Sequence, residues 1–178
     1  MVPKDPSSSD EYVMPPSKGY DSKQQTVLFA TDLAPGCRAA ADWATTLARN
    51  FDARLMILHV EQPFVPYGGG EIYSDRLFDY HSQVILKLLH DVKPSNPHVP
   101  YWHRLVTGDA ATEVLRIANE IKPLMIVMGT HGRRGLPRMF TGSVAESIVR
   151  RATCPVAIFK SAPQDQVVNG EPNQEVKS

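Results

Sequence analysis

A regular alternation of short apolar runs with amphipathic stretches of helical period constrains the fold of this chain most strongly. Five runs have the length and composition of buried β-strands: Thr26–Ala30, Leu55–Val60, Val99–Val106, Leu124–Met128 and Pro155–Phe159. The third run is more polar than the others, and we expect it near an edge of the sheet. Between the runs, apolar side chains recur at i, i+3, i+4 and i+7, which predicts four helices. Such alternation predicts a parallel sheet with helices on both faces, hence an α/β domain.

The composition places this domain at residues 25–160 of the 178-residue chain, which is long enough for one domain with a sizeable core. Residues 1–24 contain four prolines and five serines and no periodic apolar pattern, so we expect a disordered N-terminal arm. Residues 161–178 contain two prolines and no aromatic residue, and we expect a disordered C-terminal tail.

The charge balance argues against a general nucleic-acid binder, because 19 basic residues are matched by 19 acidic ones. The longest apolar run is far shorter than the about 20 residues of a membrane helix, and the N-terminus lacks the apolar segment of a secretory signal. The two cysteines, Cys37 and Cys154, are far apart and outside any zinc spacing, so we expect reduced thiols and no metal site. These features predict a cytoplasmic protein that binds neither nucleic acid nor membranes.

The segment after the fourth predicted strand combines glycines, a serine and the start of a helix. It contains Gly129 and Gly132, then nine residues, then Gly142 and Ser143 at the start of the fourth predicted helix. Ligands of parallel sheets bind beyond the carboxyl ends of the strands, where the winding reverses. Glycines let backbone N–H groups approach an anion, and the N-terminus of a helix favours negative charge. The segment therefore predicts a phosphate site, although the same glycines would also serve ordinary turns.

The loop inside this segment is cationic, since Arg133, Arg134 and Arg138 occur there without an acidic residue. We expect one of them, Arg133 in our assignment, to contact the phosphates; the alternative is a solvated loop face. His131 is a titratable group beside them. The sequence shows no nucleophile–base pair, carboxylate dyad or Walker lysine, so we predict no catalytic residue.

Together these motifs resemble the universal stress protein family, specifically its ATP-binding branch. The pattern G-x2-G-x9-G-[ST]-V is matched without a gap from Gly129 to Val144, and the likeness covers nearly all of Thr26–Lys160. Other similar segments are Thr31-Asp32, His59-Val60, Ile126-Val-Met128 and Ala152-Thr-Cys-Pro-Val156. The chain departs from the family pattern at Ala30, Ala34 and Leu124, where relatives often have proline, serine and aspartate.

The resemblance implies a Rossmann-like sheet of the adenine nucleotide alpha hydrolase type, with strand order 3-2-1-4-5. It also implies a homodimer joined through the last strand, and an ATP site in which Mg²⁺ or Mn²⁺ bridges the phosphates. The implied binding residues are Ala30, Thr31, Asp32, Val60 and Met128 near the adenosine, and Gly129, Gly132, Gly142, Ser143 and Val144 around the ribose and phosphates. Asp32 has an alternative role in capping the turn that follows the first strand.

Three functions fit this sequence: a nucleotide-dependent regulatory or stress-response protein, a slow ATPase or phosphotransferase, and an interaction protein whose site is only partly used. The intact glycine motif argues against the third. The missing general base and Walker motifs argue against the second. We therefore expect an ATP-binding universal stress protein whose function is binding, with a slow ATPase or phosphotransferase as the alternative.

Overall fold

The structure is a computed structural model that describes residues 11–17, 19, 21, 23–62, 71–130 and 142–160. The strands are β1 (Glu11–Val13), β2 (Thr26–Ala30), β3 (Arg54–Glu61), β4 (Tyr101–Thr107), β5 (Met125–Thr130) and β6 (Val156–Lys160). The helices are α1 (Arg38–Asn50), α2 (Glu71–Asp91), α3 (Ala110–Ile121) and α4 (Ser143–Arg151), and a 3₁₀ turn at Pro35–Cys37 precedes α1.

The six strands form one mixed sheet in the order β1-β4-β3-β2-β5-β6. β2 is central and pairs in parallel with β3 and β5, and the parallel pairing continues outward to β4 and β6. The predicted α/β fold, its five parallel strands and their order 3-2-1-4-5 are thus confirmed. The expectation of a wholly parallel sheet is wrong, because β1 pairs antiparallel with β4.

β1 also corrects the expectation that residues 1–24 are disordered throughout. The N–H of Met14 donates to the His103 carbonyl at 3.0 Å, and that of Ser17 donates to the Tyr101 carbonyl at 2.8 Å. A three-residue strand followed by two prolines is too short to show a strand pattern in the sequence. This strand forms because the edge of β4 supplies its hydrogen-bond partners. Residues 1–10 and 161–178 lie outside the described residues, and their disorder stays a prediction.

Two hydrophobic clusters cover the two faces of the sheet. α3 and α4 pack on one face, against side chains that include Leu28, Leu58 and Ile126. α1 and α2 pack on the other, against side chains that include Phe29 and Ile57. Since successive residues of a strand point to opposite faces, the central strands are buried on both sides, as their continuous apolar runs predict. Within the described part of the chain, no helix has the length and apolar character to cross a bilayer.

Candidate functional site

The candidate site lies at the carboxyl edge of the sheet, between β2 and β5. After β2 the chain enters α1 on one face of the sheet, and α4, which follows β5, packs on the other face. The winding therefore reverses between these two neighbouring strands, and Ala30 at the end of β2 pairs with Met128 of β5. A reversal of this kind opens a crevice beyond the strand ends, which is where ligands of open α/β sheets bind.

Three predicted residues form an apolar floor on one face of this edge. Ala30, Val60 and Met128 lie on the neighbouring strands β2, β3 and β5, and all three pack with the cluster under α3 and α4. Met128 is buried, whereas Ala30 and Val60 are half-buried. The floor thus continues the core towards solvent, with the small Ala30 at its centre. Such a surface suits a flat, largely apolar ring.

The turn after β2 is held by the side chain of Thr31, which is buried. Its Oγ1 accepts a hydrogen bond from the N–H of Leu33 at 3.0 Å, and its carbonyl accepts one from Nδ1 of His59 at 2.8 Å. Leu33 adopts a left-handed conformation, with φ of 61°, which costs a residue other than glycine about 1 kcal/mol or more. Thr31 therefore shapes the turn, and its side chain is committed to that role.

Asp32 is exposed at the rim of the crevice and also stabilises the turn. Its Oδ1 accepts hydrogen bonds from the N–H of Ala34 at 3.2 Å and from the thiol of Cys37 at 2.7 Å. The predicted capping role is present, and ligand contact by Asp32 stays a prediction. Burial, followed by the hydrogen bond to Asp32, raises the pKa of Cys37, so the thiol keeps the proton that it donates. Sequence reasoning missed Cys37, because only the turn brings this thiol back to the carboxylate.

Gly129 ends β5 against the start of α1. A Cβ at this position would lie 3.6 Å from both Sγ of Cys37 and Cβ of Ala40, which is an ordinary contact distance. Packing against the described residues therefore does not require glycine here, nor does a left-handed backbone. The missing Cβ would point towards α1, so this geometry gives no support to the expectation that glycine at this position lets a ligand approach the backbone.

The N-terminus of α4 is open to solvent. Gly142 is its N-cap and has no side-chain cap, and Ser143 and Val144, which follow it, are both exposed. None of the residues that the structure describes has an atom within 4 Å of the place where a Gly142 Cβ would stand. The first N–H groups of a helix lack partners inside the helix, and its dipole attracts anions to this end. The predicted start of α4 at Ser143 is confirmed, and its geometry suits an anion.

The loop between β5 and α4 lies outside the described residues. It contains Gly132 and Arg133, and also His131, Arg134 and Arg138, so the predictions for these residues stay predictions. Among the residues that the structure describes, no three His, Cys, Asp or Glu side chains come together as a metal site would require.

Comparison with known proteins identifies the family of this fold. The model of the universal stress protein family matches residues 24–160. A universal stress protein of Methanocaldococcus jannaschii is 31% identical over 139 residues, which cover 75% of this chain and 81% of that protein. One of Mycobacterium tuberculosis is 31% identical over 148 residues, 78% of this chain and 49% of the other, so the chain spans about half of its length.

Solved structures share the fold. A universal stress family protein from Burkholderia pseudomallei aligns with a TM-score of 0.54 at 29% identity, over 80% of this chain and 100% of that one. A universal stress protein in complex with cAMP aligns with a TM-score of 0.53 at 21% identity, over 79% and 100% of the two chains. The Archaeoglobus fulgidus protein in complex with dAMP aligns with a TM-score of 0.50 at 16% identity, over 75% and 96%. With the family model and the sequence relatives in agreement, this chain belongs to the universal stress protein family.

Proposed function

We propose that this protein binds an adenine nucleotide, ATP, in the crevice at the carboxyl edge of the sheet, and that occupancy of this site regulates its role in a stress response. The proposal depends on one observation, the position of the apolar floor relative to the N-terminus of α4. The apolar floor of Ala30, Val60 and Met128 lies on the same face of the sheet as α4, whose open N-terminus begins at Gly142. ATP is apolar at its adenine and anionic at its phosphates, so its two ends match the two parts of the crevice.

The N-terminus of α4 would hold the phosphates. Ser143 and Val144 offer backbone N–H groups there, and Ser143 adds a hydroxyl donor. The described residues leave the space at Gly142 clear, which would let a phosphate oxygen approach the backbone directly. Mg²⁺ or Mn²⁺ would bridge the phosphate oxygens.

The adenosine end would lie on the apolar floor beside the turn at Asp32. Because this carboxylate is exposed next to Ala30, we propose that it accepts a hydrogen bond from a ribose hydroxyl or from the adenine amino group. The complexes of two structural neighbours with cAMP and dAMP support adenine nucleotides as the ligand class.

Binding, and not turnover, is the proposed function. Efficient ATP hydrolysis needs a group that orients the attacking water. Asp32 is a weak candidate, because one of its carboxylate oxygens already accepts two hydrogen bonds within the turn. A slow ATPase or phosphotransferase that uses the same site is the alternative, and it depends on residues 131–141. A location in the cytoplasm stays a prediction made from the sequence.

The melting temperature in the presence of ATP, AMP and adenosine, each with and without Mg²⁺, tests the proposal. We expect ATP with Mg²⁺ to give the largest shift, because only ATP fills both ends of the crevice. At 100 times its dissociation constant, a ligand adds about 2.7 kcal/mol to the free energy of unfolding. A mass spectrum of ligand released from freshly purified protein would identify the nucleotide. No shift with ATP at millimolar concentration contradicts the proposal.

We also propose that two copies join along β6. β6 ends the sheet opposite β1, and it has no strand on its outer side among the described residues. Trp43 of α1 is 51% exposed and stacks on Phe159 of β6, with ring centroids 5.4 Å apart. Val149 of α4, on the other face, is also 51% exposed. Exposed apolar side chains on both sides of an uncovered edge strand form a surface that a second copy would bury.

A further inference from the structure

The outer edge of β4 is covered by residues 11–17 of the same chain, here called the cover segment. Glu11 lies opposite Val106 and Val13 opposite Arg104, in antiparallel register. Towards its end, the segment also receives a hydrogen bond from the N–H of Tyr101 to Oγ of Ser17, at 2.8 Å. The match to the family model begins only at residue 24, so the cover segment precedes the shared domain.

Two arginines, Arg104 and Arg116, hold the Glu11 carboxylate; we call them the arginine clamp. Oε1 of Glu11 makes an ion pair with Nε of Arg104, and Oε2 lies 3.6 Å from Nη2 of Arg116. The side chains of Arg104 and Glu11 are only 8% and 19% exposed. Water and salt therefore screen this pair less than an ordinary surface ion pair.

Glu11 is the one charged residue in the sequence of the cover segment, so the clamp fixes the register of β1. Its strand partner Val106 belongs to the cluster under α3, and Glu11 therefore points to the α3 face, where the clamp lies. A slip by one residue would turn Glu11 to the opposite face and bring Tyr12 to the clamp. The charge pairing therefore excludes registers that are shifted by one residue.

Both arginines of the clamp keep a carboxylate partner when the cover segment detaches from β4. Arg104 donates two hydrogen bonds of 2.9 Å to Glu120, and Arg116 donates one of 2.7 Å to Glu113. Two arginines and two carboxylates thus remain paired without Glu11. The ladder itself is short, because β1 has three residues and the two prolines of the cover segment have no N–H to donate. Release of the segment would therefore leave no buried arginine of the clamp without a carboxylate partner.

We propose that the cover segment is a releasable cover of the β4 edge, held in register by Glu11 in the arginine clamp. Its role is to prevent the backbone of β4 from pairing with strands of other molecules, since an open edge strand presents free N–H and C=O groups to them. The occupant of this edge is the chain's own residues 11–17.

Hydrogen exchange of the full-length protein tests the proposal through Glu11→Gln, which removes the charge and keeps the shape. We expect exchange of amides in residues 12–17 and 101–107 to become roughly tenfold faster, as for the loss of one partly buried charged contact. Exchange within β2 should not change, because the clamp remains paired. Glu146→Gln is the matched control, since the ion pair that it breaks, with Arg150, is exposed, and it should leave both segments as in the wild type.

Glu11→Lys should have a larger effect than Glu11→Gln, because it places a third positive charge beside the two arginines of the clamp. We expect greater release and, in light scattering, a concentration-dependent mass above that of the wild type. Unchanged protection of residues 12–17 in both Glu11 variants would show that the clamp does not hold the segment. Loss of protection without added association in Glu11→Lys would overturn the role of the segment as a guard of the edge.

Discussion

Replacing Gly142 with valine should separate nucleotide binding from folding. Gly142 is the N-cap of α4, with φ of −32° and ψ of 153°, outside the left-handed region that only glycine adopts readily. No atom of the described residues lies within 4 Å of its would-be Cβ, so this part of the structure leaves room for a branched side chain. That same room is where a phosphate would have to meet the backbone N–H groups of α4.

The two expected effects differ in size. Valine is a poorer N-cap than glycine by up to about 1 kcal/mol, and no packing contact is lost. For a domain of this length, about 1 kcal/mol lowers the melting temperature by roughly 2–5 °C. A charge-assisted hydrogen bond contributes about 1.5–3 kcal/mol, so losing one or more should weaken ATP binding by at least about tenfold.

Calorimetric titration of wild type and Gly142→Val with ATP and with adenosine measures both effects on binding. Adenosine should bind the two proteins equally, because its contacts lie on the apolar floor. Ser143→Ala is the matched control, since it removes a hydroxyl without adding volume, and it should cause a smaller loss of ATP affinity. If Gly142→Val binds ATP as the wild type does, the phosphates are held elsewhere. If adenosine binding falls equally, the valine disturbs the floor and the reasoning is refuted.

Three further predictions concern pH, turnover and assembly. Burial lowers the pKa of His103, whose Nε2 donates to the Val92 carbonyl at 2.7 Å. The unfolded state therefore binds a proton at His103 more readily than the folded state does. The contribution of neutral His103 to the free energy of unfolding is thus fully present above about pH 6.5 and is lost as the pH falls below it. In His103→Gln, the denaturation midpoint should decrease less between about pH 7.5 and pH 5 than in the wild type. An equal decrease in both proteins would exclude His103 as the cause of the pH dependence. Phosphate release from ATP should stay well below about 1 s⁻¹, and rapid turnover that collapses in His131→Ala would make the protein an enzyme. Light scattering should give the mass of two chains, reduced towards one in Trp43→Lys, whereas a monomeric wild type would show that the β6 edge is protected in another way.

The sequence predicts the parallel part of the fold because its pattern is local. The apolar runs of β2 and β5 are short and β-rich, and the amphipathic segments between them have helical period, so the crossovers follow. The start of α4 is equally local, since Gly142 and Ser143 precede an apolar helical face. The residues of the apolar floor follow from the resemblance to the family, and the structure places them together on one face.

Other features depend on contacts that sequence does not display. β1 exists because of the β4 edge and of Arg104, which lie some 90 residues further along the chain. The polarity of β4 predicts a strand near an edge, and β4 does end the parallel part of the sheet, but its arginine is committed to α3 and β1. The contact of Cys37 with Asp32 closes a turn in which Leu33 is left-handed, and leucine gives no sequence signal for that conformation.

Titration calorimetry of the full-length protein with ATP and Mg²⁺ tests the central claim most directly. The crevice of an apolar floor and an open helix N-terminus predicts saturable binding at one site per chain, with a dissociation constant on the order of micromolar, about −8 kcal/mol. The same titration without Mg²⁺ should show weaker binding, because the metal offsets repulsion between the phosphates. The absence of any heat and of any thermal shift at millimolar ATP would contradict the account.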